Sequence, residues 1–428
     1  RIPLLKQKQN IVPVMIVFMA FIATALSFLD RQVLSISIIR IKQDFSVSDV
    51  EYGFINAGFL VSYAIMFTLG GILIDRYGSR LGLAFSVGIW SLASMFHSLA
   101  NNALHFGIFR FFLGLGEGGA FPGAVKAVVE WVPKKRQALA NGIAIGGSAL
   151  GAVAAPPLCV YLIGLTGWRG VFIITGVIGF LWVIAWLFFP KNPGNYDHTN
   201  NKSLTEQNEI NKYRRNNPGS LFKTKESWIF ILIRFILDPI FYFYMFWIPK
   251  YLNEVRGVSI TDVGRIAWIP FLAMGISNML GGWISDLLYR KTSRLNLSRK
   301  AIMGFAALLT LAAIFVKYAA TPTMVIVIMC TVFFAHGLWI TNYITSITDI
   351  FGKSSASTVI GFSGSAGAIS ALLINPIIGL IVTNFSYNPL WLYSGLMYPV
   401  AFMIFMIFIP RIEPLGGDSY IHLRDKKQ

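Results

Sequence analysis

Eight ionisable side chains stand inside long apolar runs of this sequence: Asp30, Arg31, Arg110, Glu117, Lys126, Arg234, Asp238 and His336. A charge at the centre of a lipid-embedded helix costs at least about 2.5–3.5 kcal/mol, so such residues face a partner or a watery chamber. Arg31 is the clearest candidate for binding. Its guanidinium fork can give two parallel hydrogen bonds to one carboxylate. The alternative is a structural pair with an acid on a nearby helix. Asp30 precedes it directly, so the two side chains leave a helix about 100° apart and do not form a simple pair. Asp30 is expected to face another helix instead, toward Arg110, where a fixed ion pair is the plain reading.

Arg110 and Glu117 lie two helical turns apart and share one face. A glutamate walled in by apolar helix can load a proton on one side of a membrane and release it on the other. A plain helix–helix contact is the alternative. Gly114, Gly116, Gly118 and Gly119 around it suit tight packing in either case. Lys126 and Glu130 sit at i, i+4 near the end of the same run and read as a snorkelling pair. Arg234 and Asp238, also i, i+4, precede Pro239 and are either a structural pair or part of a site. Histidine can switch charge at physiological pH, but His336 reads first as a hydrogen-bonded residue between helices.

Helices must carry these groups. Of 428 residues, 55% are hydrophobic and only 13% charged, where a soluble domain carries about a quarter charged. Lipid offers the backbone no partners, so only helices and closed barrels span it. The apolar runs here far exceed the roughly ten-residue alternating strands of a barrel. Twelve segments are expected, near residues 11–39, 50–73, 80–100, 103–131, 136–164, 168–189, 227–253, 261–288, 299–318, 322–349, 355–384 and 388–409. The polar stretch 191–226 divides the chain into six-span halves, 1–190 and 227–428. Within it, Ser203-Leu-Thr-Glu206 is a capping-box pattern, followed either by a short surface helix to Arg215 or by a disordered linker.

The formal charge of +17 reports topology, not a nucleic-acid partner. With both termini and the central stretch inside, roughly two dozen Lys and Arg fall in cytoplasmic loops and about seven outside, the positive-inside signature. Cys159 and Cys330 show no metal-ligand spacing and no disulfide framework. The few histidines (His97, His105, His198, His336, His422) are scattered, so no metal, cofactor or catalytic set is expected, and an intramembrane enzyme is disfavoured. The first run carries Asp30 and Arg31 without a small-residue cleavage pattern and reads as a span, not a signal. Because the chain opens on Arg1, its natural start is expected upstream.

The halves echo each other. Gly71-Ile-Leu-Ile-Asp75-Arg76-Tyr-Gly78-Ser-Arg80 follows the second span, and Gly282-Trp-Ile-Ser-Asp286 with a basic loop follows the eighth. Parallel repeats about an axis normal to the membrane are a transporter design. G-x-x-x-D-R-x-G-x-R at this place in a twelve-span chain resembles the major facilitator signature. The resemblance implies an all-α membrane fold of twelve helices in two pseudo-symmetric six-helix bundles. In that fold Asp75, Arg76, Arg80 and Asp286 would serve as gating residues. Asp75 could sit at a neighbouring helix N-terminus, where the dipole favours an anion. A surface salt-bridged turn is the alternative.

Phe-Leu-Asp30-Arg31 and Arg110-Phe-Phe-Leu-Gly114-Leu-Gly116-Glu117-Gly-Gly-Ala-Phe-Pro122 resemble the anion:cation symporter family. Arg234-Phe-Ile-Leu-Asp238-Pro, Phe-Trp247-Ile-Pro249-Lys-Tyr251 and Phe-Ala-His336-Gly are similar to its bacterial hexuronate transporters. The resemblance covers nearly the whole chain. It implies a proton-coupled symporter that imports an organic anion such as a hexuronate or aldonate. Arg31 would hold the substrate carboxylate, and Asp30 and Glu117 would couple protons. Arg110, Tyr63, Asn342, Tyr343 and Ser365 would complete the substrate pocket, although Tyr63 and Tyr343 could equally be packing aromatics. Ser148 stands where sugar-acid carriers hold a large amide. The implied partners are a small organic anion, protons and membrane lipid, in a monomer of the bacterial inner membrane. An organophosphate or aromatic-acid carrier of the same fold, or a non-transporting sensor, is the alternative.

Overall fold

The computed structural model describes residues 2–132, 137–188 and 218–414, and every regular element among them is helical. In chain order these are α1 (Ile2–Asp44), α2 (Asp49–His97), α3 (Ala103–Glu117), α4 (Ala120–Trp131), α5 (Gln137–Leu187), α6 (Lys225–Glu254), α7 (Ile260–Ile266), α8 (Ile269–Thr292), α9 (Leu295–Thr310), α10 (Pro322–Asn384) and α11 (Asn388–Phe408). Two short 3₁₀ segments, Pro218–Lys223 and Leu311–Tyr318, precede α6 and extend α9. The capping-box stretch at 203–206 lies outside the described residues.

Local chemistry sets the turns. Ser48 caps α2 by accepting from the Glu51 N–H, and the Glu51 carboxylate accepts from the Ser48 N–H at 2.8 Å. The Asn102 and Thr321 side chains cap α3 and α10 by accepting from the His105 and Met324 N–H groups. Such caps satisfy N–H groups that have no partner inside the helix. Gly78, the last glycine of the signature stretch, has φ 79° and bends α2 between its two crossings. Gly167 does the same in α5, with φ 72°. This left-handed backbone excludes most side chains and suits glycine.

Ten helical stretches among the described residues are long and apolar enough to cross a bilayer. One of them, Gly142–Leu187, is 46 residues long, about 70 Å if straight, against a hydrocarbon core of about 30 Å. Bent at Gly167, it supplies two crossings. A further crossing is made jointly by α3 and α4, which are interrupted at Gly118 and Gly119. The twelve expected crossings are thereby accounted for, although several are fused into single long helices. Large apolar side chains such as Phe85, Met279 and Phe188 are exposed at 67%, 79% and 84%. A lipid-facing wall has this composition.

Helices approach closely where glycine removes the side chain. A Cβ at Gly147 would fall 2.0 Å from the Phe21 carbonyl oxygen, and one at Gly151 would fall 2.0 Å from that of Ala25, so α1 and α5 touch backbone to backbone. At one end of the bundle α2 meets α10 in the same manner. Gly53 faces Asn375 and Pro376, and Gly379 faces Asp49 and Val50. Four charges ring that end. Lys250 of α6 reaches Asp49 at 2.7 Å and also pairs with Glu254, while Lys42 of α1 reaches Glu254 at 2.7 Å. Beneath them, Tyr52 donates to the Phe246 carbonyl at 2.6 Å.

Candidate functional site

Arg31 on α1 and Glu117 at the end of α3 form a buried ion pair, with side chains 2% and 0% exposed. Arg31 donates from Nε at 3.0 Å and from Nη2 at 2.8 Å, both to Oε2, and the Ser27 hydroxyl donates to the same oxygen at 3.1 Å. Oε1 has no hydrogen-bond partner. Aromatic rings wall the guanidinium: Phe28 at 4.5 Å, Tyr63 at 4.7 Å and Phe59 at 5.1 Å from its carbon. A cation over ring faces is attracted by their quadrupoles without losing its charge. The cage holds Arg31 in place, and the glutamate occupies the part of its fork that an external carboxylate would need.

Arg110 crosses from α3 to the backbone of α1 and donates from Nη2 to the Arg31 carbonyl at 3.1 Å. Its Nε and Nη1 are buried without partners. Phe59 and Phe246 lie at 5.7 Å and 6.0 Å from it. The alternative of a fixed ion pair between Asp30 and Arg110 is not what the structure holds. Asp30 is buried near Trp90 and Thr175, and neither of its carboxylate oxygens accepts a hydrogen bond. Asp30, Arg31, Arg110 and Glu117 are all buried, and among them the one direct ion pair is Arg31 with Glu117. A buried carboxylate without donors is costly as an anion.

The other expected pocket residues divide. Tyr63 lies against Arg31 and stacks on Phe59 at 5.4 Å. Asn342 donates its amide N–H to the Gly281 and Leu338 carbonyls at 3.2 and 2.9 Å, and its Oδ1 has no hydrogen-bond partner. Tyr343 donates to the Phe230 carbonyl at 2.7 Å and packs edge-on against that ring. Both therefore tie α10 to its neighbours rather than opening onto Arg31. Ser365 is half-buried on α10, and Ser148 turns back on the Ile145 carbonyl. His336 shares a 2.5 Å hydrogen bond with Tyr398 and stacks on Phe241, in line with the interhelical reading.

Among the described side chains, the expected gating residues Arg76, Arg80 and Asp286 make the following contacts, each within a single half. Arg80 donates to the Leu187 carbonyl at the end of α5, and Trp186 donates back to the Arg80 carbonyl. Arg76 is exposed beside Tyr77. The Asp75 side chain lies outside those described. The helix start after Gly78 is capped instead by Glu130, which accepts from the Ser79 N–H and hydroxyl while standing 4.0 Å from Lys126. Glu130 was expected only as a snorkelling partner. Asp286 does not sit bare at a helix N-terminus either. Arg299 in the first turn of α9 binds it at 3.1 Å and Asp349 at 3.0 Å.

Sequence reasoning missed several contributors. Ser27, Phe28 and Phe59 build the Arg31 cage, and Asn56 is buried with both amide atoms unpartnered. Lys250, Lys42, Asp49 and Glu254 form the charged ring. A signal existed for Lys250, a cation inside the apolar run of α6, but its partners lie on other helices.

The chain as a whole is similar to known proteins. The chain is 26% identical over 378 residues to the hexuronate transporter of Escherichia coli K12, covering 86% of this chain and 88% of that one. It is 30% identical over 434 residues to the probable galactarate/D-glucarate transporter GudP of the same strain, covering 94% and 95%. Among solved structures it superposes on a D-xylose-proton symporter with a TM-score of 0.74 at 15% identity, covering 93% of this chain and 98% of that one. Residues 20–374 match the family model of the Major Facilitator Superfamily. With that match, the sequence similarity and the fold in agreement, this chain is a multi-pass membrane transporter, not an enzyme, and belongs to the Major Facilitator Superfamily.

Proposed function

We propose that this transporter imports an organic anion of the sugar-acid class together with protons, by alternating access. The observation that carries the reading is the caged Arg31 with Glu117 on its fork. An incoming carboxylate can bind Arg31 by replacing Glu117, and a proton on Glu117 removes the competing charge. Asp30, with no donor of its own, is the second proton site. Arg110 keeps free donors for the anion or for the displaced acid, and Tyr63 lines the binding face. Ser365, half-buried on α10, would complete the pocket from the second half. The substrates named for the relatives, hexuronates and aldarates, fit this chemistry.

Coupling has an energetic purpose. Each inward negative charge costs about 2.3 kcal/mol per 100 mV against a negative interior. Protons moving with the anion offset that cost. The setting proposed is the bacterial inner membrane, with a monomer and both termini inside. The halves 1–190 and 227–428 would rock about the site, joined by 191–226, with Asp75, Arg76, Arg80 and Asp286 stiffening the cytoplasmic turns. Uptake by purified protein in proteoliposomes with an imposed pH gradient, screened over hexuronates, aldonates and aldarates, is the test. Accumulation of one class that collapses with the gradient is the expected result, and uptake indifferent to pH would remove the coupling.

A second reading, an organophosphate carrier, draws on Arg110 beside Arg31 with two nitrogens unpartnered. Competition by glucuronate against glycerol phosphate separates the two.

A further inference from the structure

The end of the bundle ringed by Lys42, Asp49, Lys250 and Glu254 also carries a cavity of about 480 Å³. Small-molecule sites run from roughly 300 to 1,000 Å³. The cavity lies where the end of α6, the 3₁₀ segment Leu311–Tyr318, the end of α10 and the start of α11 come together. Tyr251 and Tyr387, both buried and 4.9 Å apart between ring centroids, form part of its wall.

The charges of this cavity do not balance. Glu254 is the one carboxylate among the described lining residues, and it already holds Lys42 and Lys250. Arg256 and Lys317 are the cations. Arg256 donates from Nε to the Tyr251 hydroxyl at 2.7 Å, and from Nη1 and Nη2 to the Ala319 and Val316 carbonyls at 2.8 and 2.6 Å. These bonds fix the guanidinium beside Lys317 without supplying a counter-charge. Arg31, Arg234 and Arg299 each hold a carboxylate. Arg256 and Lys317 hold none among the described residues, and the Lys317 ammonium lies over the Tyr318 ring at 4.5 Å. Hydroxyl and amide groups of Thr383, Asn384 and Ser386 complete the wall, and the Tyr387 hydroxyl is buried without a hydrogen-bond partner.

The rim is apolar. Phe385, which lines the cavity, is 77% exposed, and Tyr318 beside Lys317 is 67% exposed. Exposed aromatics next to a lysine mark the headgroup level of a bilayer, where the stem lies on apolar surface and the ammonium reaches the phosphates. A site for a water-borne anion needs the cations but has no use for that rim.

We infer that this cavity binds an anionic phospholipid. The headgroup phosphate sits on Lys317 and Arg256, the headgroup hydroxyls meet the polar wall, and the chains leave past Phe385. The site is separate from the Arg31 cage and does not depend on which substrate is carried.

The test uses the full chain, stripped of lipid in a neutral detergent. Thermal unfolding is followed as phosphatidylglycerol, phosphatidylcholine or free glycerol phosphate is added. A ligand of the folded state raises the unfolding temperature as its concentration rises. Phosphatidylglycerol should do so, and the other two should not. Lys317→Gln should weaken the apparent affinity for phosphatidylglycerol about fivefold, equivalent to about 1 kcal/mol, and Lys317→Arg should retain it. Lys317 is exposed, so its replacement should leave the unfolding temperature without lipid level. Lys291→Gln, at an exposed lysine in the last turn of α8, is the control and should leave the affinity unchanged. Equal responses to the two lipids, or equal weakening by Lys317→Gln and Lys291→Gln, would overturn the inference. A response to glycerol phosphate matching that to phosphatidylglycerol would also overturn it, and would give the cavity to a soluble anion.

Discussion

Glu117 binds Arg31 through a single oxygen, Oε2, and leaves Oε1 without any donor. The pair is therefore well placed to part. One carboxylate oxygen receives two guanidinium bonds and one hydroxyl bond, and the other receives none. The first prediction concerns this asymmetry. Glu117→Gln should still bind and exchange the anion, because Arg31 is then freed of its resident charge. It should fail to concentrate the anion on a pH gradient. Counterflow beside gradient-driven uptake checks it, and normal gradient-driven accumulation by the variant would take Glu117 out of the coupling.

Arg31→Lys keeps a cation among the rings but loses the two-pronged donor. Apparent anion affinity should fall roughly 10–100-fold, the scale of one charge-assisted hydrogen bond. Inhibition constants measured for a set of sugar acids would show it, and an affinity within twofold of wild type would place the carboxylate elsewhere.

Gly146 and Gly147 are adjacent on α5 but differ in surroundings. A Cβ at Gly146 meets nothing within 4 Å, while one at Gly147 meets the Phe21 carbonyl oxygen. Overpacking of this kind costs about 1–3 kcal/mol. Gly147→Ala should lower the unfolding temperature in detergent, and Gly146→Ala should leave it level or raise it. Equal behaviour of the two would contradict the close contact of α1 and α5.

Lys250 is 1% exposed and joins α6 to Asp49 on α2. Lys250→Gln should loosen that end of the bundle and shift the carrier toward opening there. With Asn56→Cys as reporter, buried beneath the ring, a membrane-impermeant maleimide should label several-fold faster in the Lys250→Gln background. An unchanged rate would mean that the charges do not hold this end.

Much of the architecture could be read in the sequence because lipid imposes it. The twelve crossings follow from apolar length alone, and Gly78 bends α2 where the signature stretch ends. Arg110 and Glu117 were legible as a shared face because their spacing is local. Their partners were not. Arg31 meets Glu117 across 86 positions of chain, and no periodicity encodes which helix faces which. The same limit hid the division of labour between Asn342 and Tyr343, whose polar atoms satisfy carbonyls of packed helices. It also hid the interruption of the fourth crossing, where a glycine-rich run reads equally as continuous helix.

The meeting of Gly53 with Asn375 and Gly379 with Asp49 has an entropic consequence. No rotamer at these two positions must freeze when the end shuts, so closure there escapes the side-chain entropy that ordinary docking surfaces lose. Under alternating access, the balance between open and shut forms of this end would then rest on the charges around it, Lys42, Asp49, Lys250 and Glu254.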